Sequence, residues 1–293
     1  MKEKSRVAYL ILAHTDPEQL KRLVIRLLDH SEADVFVHVD RKTAWGQVEI
    51  PAPLRSRVVW LDNRITIWWA GSHIVQATIA LLRAALAKQE LYSHIVLLSG
   101  LDYPLLPSAK IHERLLANPH HQWMSAMLLS DSPIHSRHVD RFWFEDRILG
   151  EGVPDKLLRK ALEVLLLPVK RQSKQAFYIG SQWWALSAEC ALYLLSSIDS
   201  NTELLNFVQY TFAPDEYFFH TLVYNSPFRD QCPPVVQWKE GLSPYTMADL
   251  HMVDLGGATI DCYPTLKGSN KLFIRKVTSN KSQTLLDRID QDL

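Results

Sequence analysis

The chain has 293 residues, with 32 basic and 32 acidic side chains and a formal net charge of zero. That balance excludes a general nucleic-acid binder, which is usually basic, but leaves room for a local basic pocket around a phosphorylated ligand. Hydrophobic residues make up 47% of the chain, enough for a large core in one domain or two small ones. Cys190, Cys232 and Cys262 are few and widely spaced, which fits reduced thiols better than a disulfide framework or a zinc site.

The first apolar run, "VAYLILA" (residues 7–13), is too short to span a membrane and no signal-peptide cleavage pattern follows. It reads as a strand buried on both faces. Asp16 then offers an N-cap and Pro17 a first helical position, with Leu20, Leu23, Val24, Leu27 and Leu28 on one face. "DVFVHVD" predicts a second strand and "RVVWLD" a third. A long helix enters through Gly71 and Ser72, and "HIVLLSG" predicts another buried strand before the helix "SAKIHERLLAN". The second half is less regular. Residues 154–174 predict a helix with basic ends, "YIGSQWWALSAECALYLLSS" a strand running into a helix, and "LFIRKV" a late strand. Residues 278–293 are polar and predict a loose helical tail. Alternating strands and helices imply an α/β fold with a largely parallel sheet in a single domain over residues 1–293.

In such sheets ligands bind beyond the carboxyl ends of the strands. Those ends here are "AHTD", "HVDRK" and "SGLDYP", with no G-x-G-x-x-G and no Walker loop. The acidic pair Asp215 and Glu216 interrupts the aromatic stretch "TFAPDEYFFHTLVYN". With Pro214 at a first helical position, the pair would sit in a first turn, where the helix dipole stabilises anions. The same place suits a general base, provided that burial among Phe212, Tyr217 and Phe218 raises its pKa. Arg275 and Lys276 offer charge for a diphosphate or simply a solvated pair. Asp290-Gln291-Asp292 lies in the terminal tail, and Glu216 and His220 at i, i+4 lack a second histidine, so no metal site is expected. Trp183 and Trp184 are adjacent on a strand, so at most one faces a cleft.

Taken in order, "IWWAGSHIVQATIALLRAAL", "YSHIVLLSGLDYPLLPSAKIHERL", "YIGSQWWALS", "FAPDEYFFHTL" and "LFIRK" resemble the core-2/I-branching glycosyltransferases, glycosyltransferase family 14. The resemblance covers about residues 6–277, and the family also includes peptide O-xylosyltransferases and bacterial members. It implies a GT-A-like fold, no dependence on a metal, and an inverting reaction with a UDP-sugar donor, usually UDP-N-acetylglucosamine. It makes Glu216 the catalytic base, puts Lys276 on the donor diphosphate and Asp40 near the uridine. Mammalian members place a further Arg where this chain reads "GLSPYTMADL", and Arg275 is the expected substitute. The usual Trp-Gly-Gly before the long helix reads Trp69-Ala70-Gly71.

The expected donor site therefore comprises Asp40, Arg41, Ser99, Gly100, Asp102, Arg275 and Lys276. The expected acceptor site comprises Tyr103, Trp183, Trp184 and Asp215. The expected partners are a UDP-sugar and a glycan or lipid-linked saccharide, with no cofactor, metal or nucleic acid. UDP-xylose as donor and a silent nucleotide- or glycan-binding protein are the alternatives. Without a membrane anchor or disulfides, the resemblance implies a bacterial cytoplasmic enzyme. Residues 154–174 either pack as an ordinary helix or rest on the inner membrane surface.

Overall fold

The computed structural model describes residues 6–88, 90–146, 152–173 and 175–293. The first half runs β1 (Arg6–Ala13), α1 (Pro17–Leu28), β2 (Ala33–Val39), β3 (Val58–Trp60), α2 (His73–Ala87), β4 (Tyr92–Ser99), β5 (Asp102–Pro104) and α3 (Ser108–Leu116). The second half uses shorter pieces: β6 (Ala126–Leu128), α4 (Arg137–Asp140), α5 (Val153–Leu165), β7 (Tyr178–Gly180), β8 (Ala185–Ser187) and α6 (Ala188–Ser200). After these come α7 (Glu203–Phe207), α8 (Phe218–Tyr224), β9 (His251–Val253), α9 (Tyr263–Lys267), β10 (Phe273–Arg275) and α10 (Gln283–Asp292).

The central sheet has the order β3-β2-β1-β4-β8. Its first four strands are parallel and β8 runs antiparallel at the edge. Because β1, β2 and β4 are covered on both faces, they are apolar without alternation, as the sequence pattern predicts. Side chains of α2, α6 and α8 fill one face, and those of α1 and α3 the other. This mixed α/β arrangement, a mostly parallel sheet flanked by helices, is compatible with a GT-A-like glycosyltransferase fold. The chain turns from β1 to β2 and β3 on one side, then to β4 on the other. The crevice at the carboxyl ends of β1 and β4 is therefore the switch point at which ligands bind in open α/β sheets.

A second sheet, β5-β10-β9, continues from the end of β4. Arg275 of β10 lies directly opposite Asp102 of β5 in its antiparallel register. Three expectations change. "YIGSQWWALS" is not one strand: β7 pairs with β6 in a two-stranded sheet, while β8 joins the central one. The predicted helix over residues 154–174 ends at Leu165, and Lys174 lies outside the described residues. The tail is not loose, because α10 buries Leu285, Leu286 and Ile289 beside Tyr103 and Ile274. Arg22 also binds Asp290 at 2.6 Å and Asp287 at 2.7 Å.

The start of α2 is capped from a distance. Ser72 makes no side-chain cap. Instead the buried Asp146 carboxylate accepts from the His73 N–H at 2.7 Å and from Ser72 Oγ at 3.0 Å, satisfying donors that the helix itself cannot. A Cβ on Gly71 would lie 2.1 Å from Asp146 Oδ1, which explains that glycine. Ala70 stands at φ 59°, a left-handed backbone that costs an L-residue about 1–2 kcal/mol. Ala70→Gly should therefore stabilise the fold by about 1 kcal/mol. Gly71→Ala should destabilise it by on the order of 1–3 kcal/mol by pushing the carboxylate off its donors. Urea denaturation of both variants checks the opposite signs.

Candidate functional site

A cavity of about 930 Å³ opens at the switch point. Ala13 ends β1 in it and His14 and Asp16 follow, Asp40 and Lys42 follow β2, and Ser99 ends β4. Arg275 and Lys276 enter from β10, Ser181 to Trp183 from the link between β7 and β8, and Asp215 and Glu216 from the turn before α8.

The two carboxylates do not open an α-helix. Pro214, Asp215 and Glu216 form a separate single 3₁₀ turn with no side-chain cap, and α8 starts only at Phe218. Burial therefore outweighs any helix dipole. It raises Asp215 to about 6, against the lowering effects of a backbone hydrogen bond and of Arg275. Glu216 is raised well above the ordinary glutamate range, first by burial and then by the neighbouring Asp215 charge. The turn is fixed from behind. Ala213 is left-handed at φ 48° and donates its N–H to the Ala70 carbonyl at 2.8 Å. The two strained alanines thus tie the acidic turn to the start of α2, and both line the cavity. Strain of this kind persists only where its surroundings hold it.

The basic side is built around Asp102. This residue is fully buried and does not line the cavity, which corrects its assignment as a direct donor contact. It accepts from the Ser99 N–H at 2.7 Å and from Arg275 Nη1 at 2.9 Å, and pairs with His251 Nε2 at 3.1 Å. Burial alone would raise its pKa, but His251, Arg275 and the Ser99 N–H outweigh burial and hold the carboxyl below its usual range. Arg275 also lies over the Trp183 ring at 4.3 Å. Its guanidinium is thereby fixed at the cavity edge. Lys276 beside it is lowered by burial and by the Arg275 charge. His14 feels Arg275, Lys276 and Lys42 as well as Asp40.

The remaining expected residues divide clearly. Asp40 is buried with its Oδ1 taking the Lys42 N–H at 2.9 Å, and it reaches the cavity. Ser99 and Trp183 also line it. Arg41 is exposed and lies off the cavity. Gly100 is buried against Ala13, where a Cβ would come within 3.2 Å of the alanine methyl, so it serves packing. Tyr103 is buried and gives its hydroxyl to Asp290 at 2.6 Å, away from the cavity. Trp184 is fully buried against Phe219 in the opposite face, so of the tryptophan pair only Trp183 lines the cavity. Tyr103 and Trp184 therefore have no surface for an acceptor.

Sequence reading missed His14, Lys42, Trp68, His135, His138 and Tyr245, all of which line the cavity. His14 and Lys42 lie in the strand ends "AHTD" and "HVDRK", where position alone was a usable signal. His135 and His138 carry no such signal, because folding brings them in through the Phe212 ring, 5.0 Å from His138. Trp69, 78% exposed, packs on the same ring at 5.3 Å. Tyr245 occupies the stretch in which the expected further Arg is missing.

Residues 7–243 match the model of the Core-2/I-Branching enzyme family. The chain belongs to this family. The match ends before β10, so Arg275 and Lys276 lie beyond it. Among similar proteins is a xylosyltransferase from Ciona intestinalis, 23% identical over 97% of this chain and 34% of its own length. Another is xylosyltransferase 2 from Canis lupus familiaris, 25% identical over 76% of this chain and 25% of its own length. The chain thus spans about a third or less of these relatives. The family is one of glycosyltransferases, and the matched residues 7–243 include Asp215 and Glu216 on the cavity wall described above.

Asp215 and Glu216 predict a stability signature. Between the ordinary carboxylate pKa and the raised folded values, the native state holds more protons than the unfolded chain. Stability should therefore fall as pH rises through that window. Glu216→Gln should flatten the fall and leave the variant more stable than wild type at pH 8. Thermal melts from pH 5 to 8 check this, and parallel curves for the two proteins would show that Glu216 is not raised.

Proposed function

We propose that this chain is an inverting, metal-independent glycosyltransferase that moves a sugar from a UDP-sugar to a hydroxyl of a glycan acceptor. N-acetylglucosamine is the first choice of sugar. The observation that carries the reading is the sharing of one cavity by a high-pKa carboxylate, Glu216, and two adjacent cations, the fixed Arg275 and Lys276 beside it. Glu216 takes the proton of the acceptor hydroxyl. The hydroxyl oxygen attacks the anomeric carbon from the face opposite the nucleotide, a new glycosidic bond forms, and the bond to the diphosphate oxygen breaks. Arg275 and Lys276 take up the charge that collects on the departing UDP, the part a metal ion plays in many nucleotide-sugar enzymes. A raised pKa makes Glu216 a stronger base than an exposed carboxylate. Asp40 is suited to the uridine, and the exposed Trp69 face to an acceptor sugar ring. The similarity to xylosyltransferases makes UDP-xylose the second donor to assay.

Glu216→Gln should keep UDP binding and lose transfer by about a hundredfold or more. Transfer near the wild-type rate would remove Glu216 from the base role. Activity should survive excess EDTA, whereas loss with rescue by manganese or magnesium would overturn metal independence. Lys276→Ala should weaken UDP more than uridine in calorimetry, because the lost contact is to phosphate. The wild-type rate should climb with pH as Glu216 ionises. Asp215→Asn should move that rise to lower pH by removing the neighbouring negative charge.

A further inference from the structure

Helix α5 is amphipathic in the inverted sense. None of its residues is buried. The side turned toward the protein carries Asp155, Arg159 and Glu163 with Leu162 and Leu166, all half-buried. Arg159 is fixed there by Glu145 at 2.7 Å. The side turned outward carries Val153, Leu157, Leu158, Val164 and Leu165, each 52% exposed or more. Leu167 and Val169 extend it past the helix end. An ordinary surface helix would place these leucines inward, so the expectation of a normally packed helix fails. Isolated exposed leucines need no explanation, but a continuous row of them does.

We propose that the outward face of α5 and the segment after it form a docking surface for an anionic lipid bilayer. The charges decide between bilayer and protein. Lys156, Lys160 and Lys170 are exposed beside the apolar row. Asp155 and Glu163 are half-buried on the protein side, and although Glu163 lies 3.7 Å from the exposed Lys160, Lys156 and Lys170 keep the outward rim positive. A second copy seated on this face would bring like lysines together along a shared rim, whereas anionic headgroups would meet them with opposite charge while the leucines enter the acyl boundary. Arg171, basic in sequence, takes no part. Its guanidinium is spent on the Phe207 and Tyr210 carbonyls. Among the described residues no helix is long and apolar enough to cross a membrane, so the contact is peripheral. The Arg171 N–H is bonded to the Asp140 carbonyl, so α5 and its extension are fastened to the segment that gives His135 and His138 to the cavity. A bilayer under α5 would thus lie beside the cavity and suit a lipid-linked acceptor.

Co-sedimentation with vesicles tests the proposal. The protein should pellet with phosphatidylcholine vesicles containing phosphatidylglycerol at low salt, stay in solution with phosphatidylcholine alone, and be released by high salt. Lys156→Gln with Lys160→Gln should weaken binding by roughly fivefold per lysine. Leu157→Gln with Leu165→Gln should weaken it further without lowering the melting temperature, because these leucines support no core. A protein that stays in the supernatant with anionic vesicles at low salt, or binding indifferent to both double variants, would overturn the proposal. So would a dimer in analytical ultracentrifugation that the leucine variants dissolve, since a second copy would then own the face. Vesicle binding is read without turnover, so its failure is distinguishable from failure of the transferase reading, which a soluble acceptor tests in the same variants.

Discussion

A carboxylate with no exposure to water must be paired, and the pairing of Asp102 organises the basic half of this cavity. Its partners come from three places: the end of β4 through the Ser99 N–H, β9 through His251, and β10 through Arg275. One buried charge thus pins the second sheet to the first at the switch point. Removing it would leave Arg275 and His251 without their shared anion and free the cation that stands over Trp183. Breaking such a buried pair typically costs about 3–5 kcal/mol. The position of the cation at the cavity edge is therefore set by the fold and not by a flexible side chain.

The acids of the same cavity are handled in the opposite way. Among the described residues no side chain is paired with Asp215 or Glu216, and only a backbone hydrogen bond and the Arg275 charge lower Asp215. Burial pushes both pKa values up, and the Asp215 charge raises Glu216 further, while the paired Asp102 is held down. The carboxyls on the cavity wall and the carboxyl behind it are thus driven in opposite directions by their surroundings. The left-handed Ala213 and Ala70 keep the acidic turn in place at a cost in backbone strain.

Much of this frame was legible in the sequence. Continuous apolar runs announced β1, β2 and β4, and the strand-end rule led to Asp40 and Ser99. Only one of Trp183 and Trp184 reaches the cavity, although the pair lies in the link between β7 and β8 and not on the strand from which the expectation was argued. What failed did so for physical reasons. Pro214 opens a single 3₁₀ turn and not the α-helix, which begins only at Phe218, while burial raises the two carboxyls as a base there requires. Asp102 and Tyr103 follow a strand end but turn inward, because β10 pairs with β5 and covers them. The polar composition of the tail hid three buried side chains of α10 that meet Tyr103. The cap on α2 from Asp146, more than seventy residues away, has no local signal at all.

The central claim is a single displacement driven by one carboxylate base and a cation-held diphosphate. The most direct measurement is the anomeric configuration of the product, read by proton NMR as it forms from an α-linked UDP-sugar. The account predicts a β-linked product with no sugar bound covalently to the protein at any stage. An α-linked product, or a trapped sugar ester on Asp215 or Glu216, would contradict it.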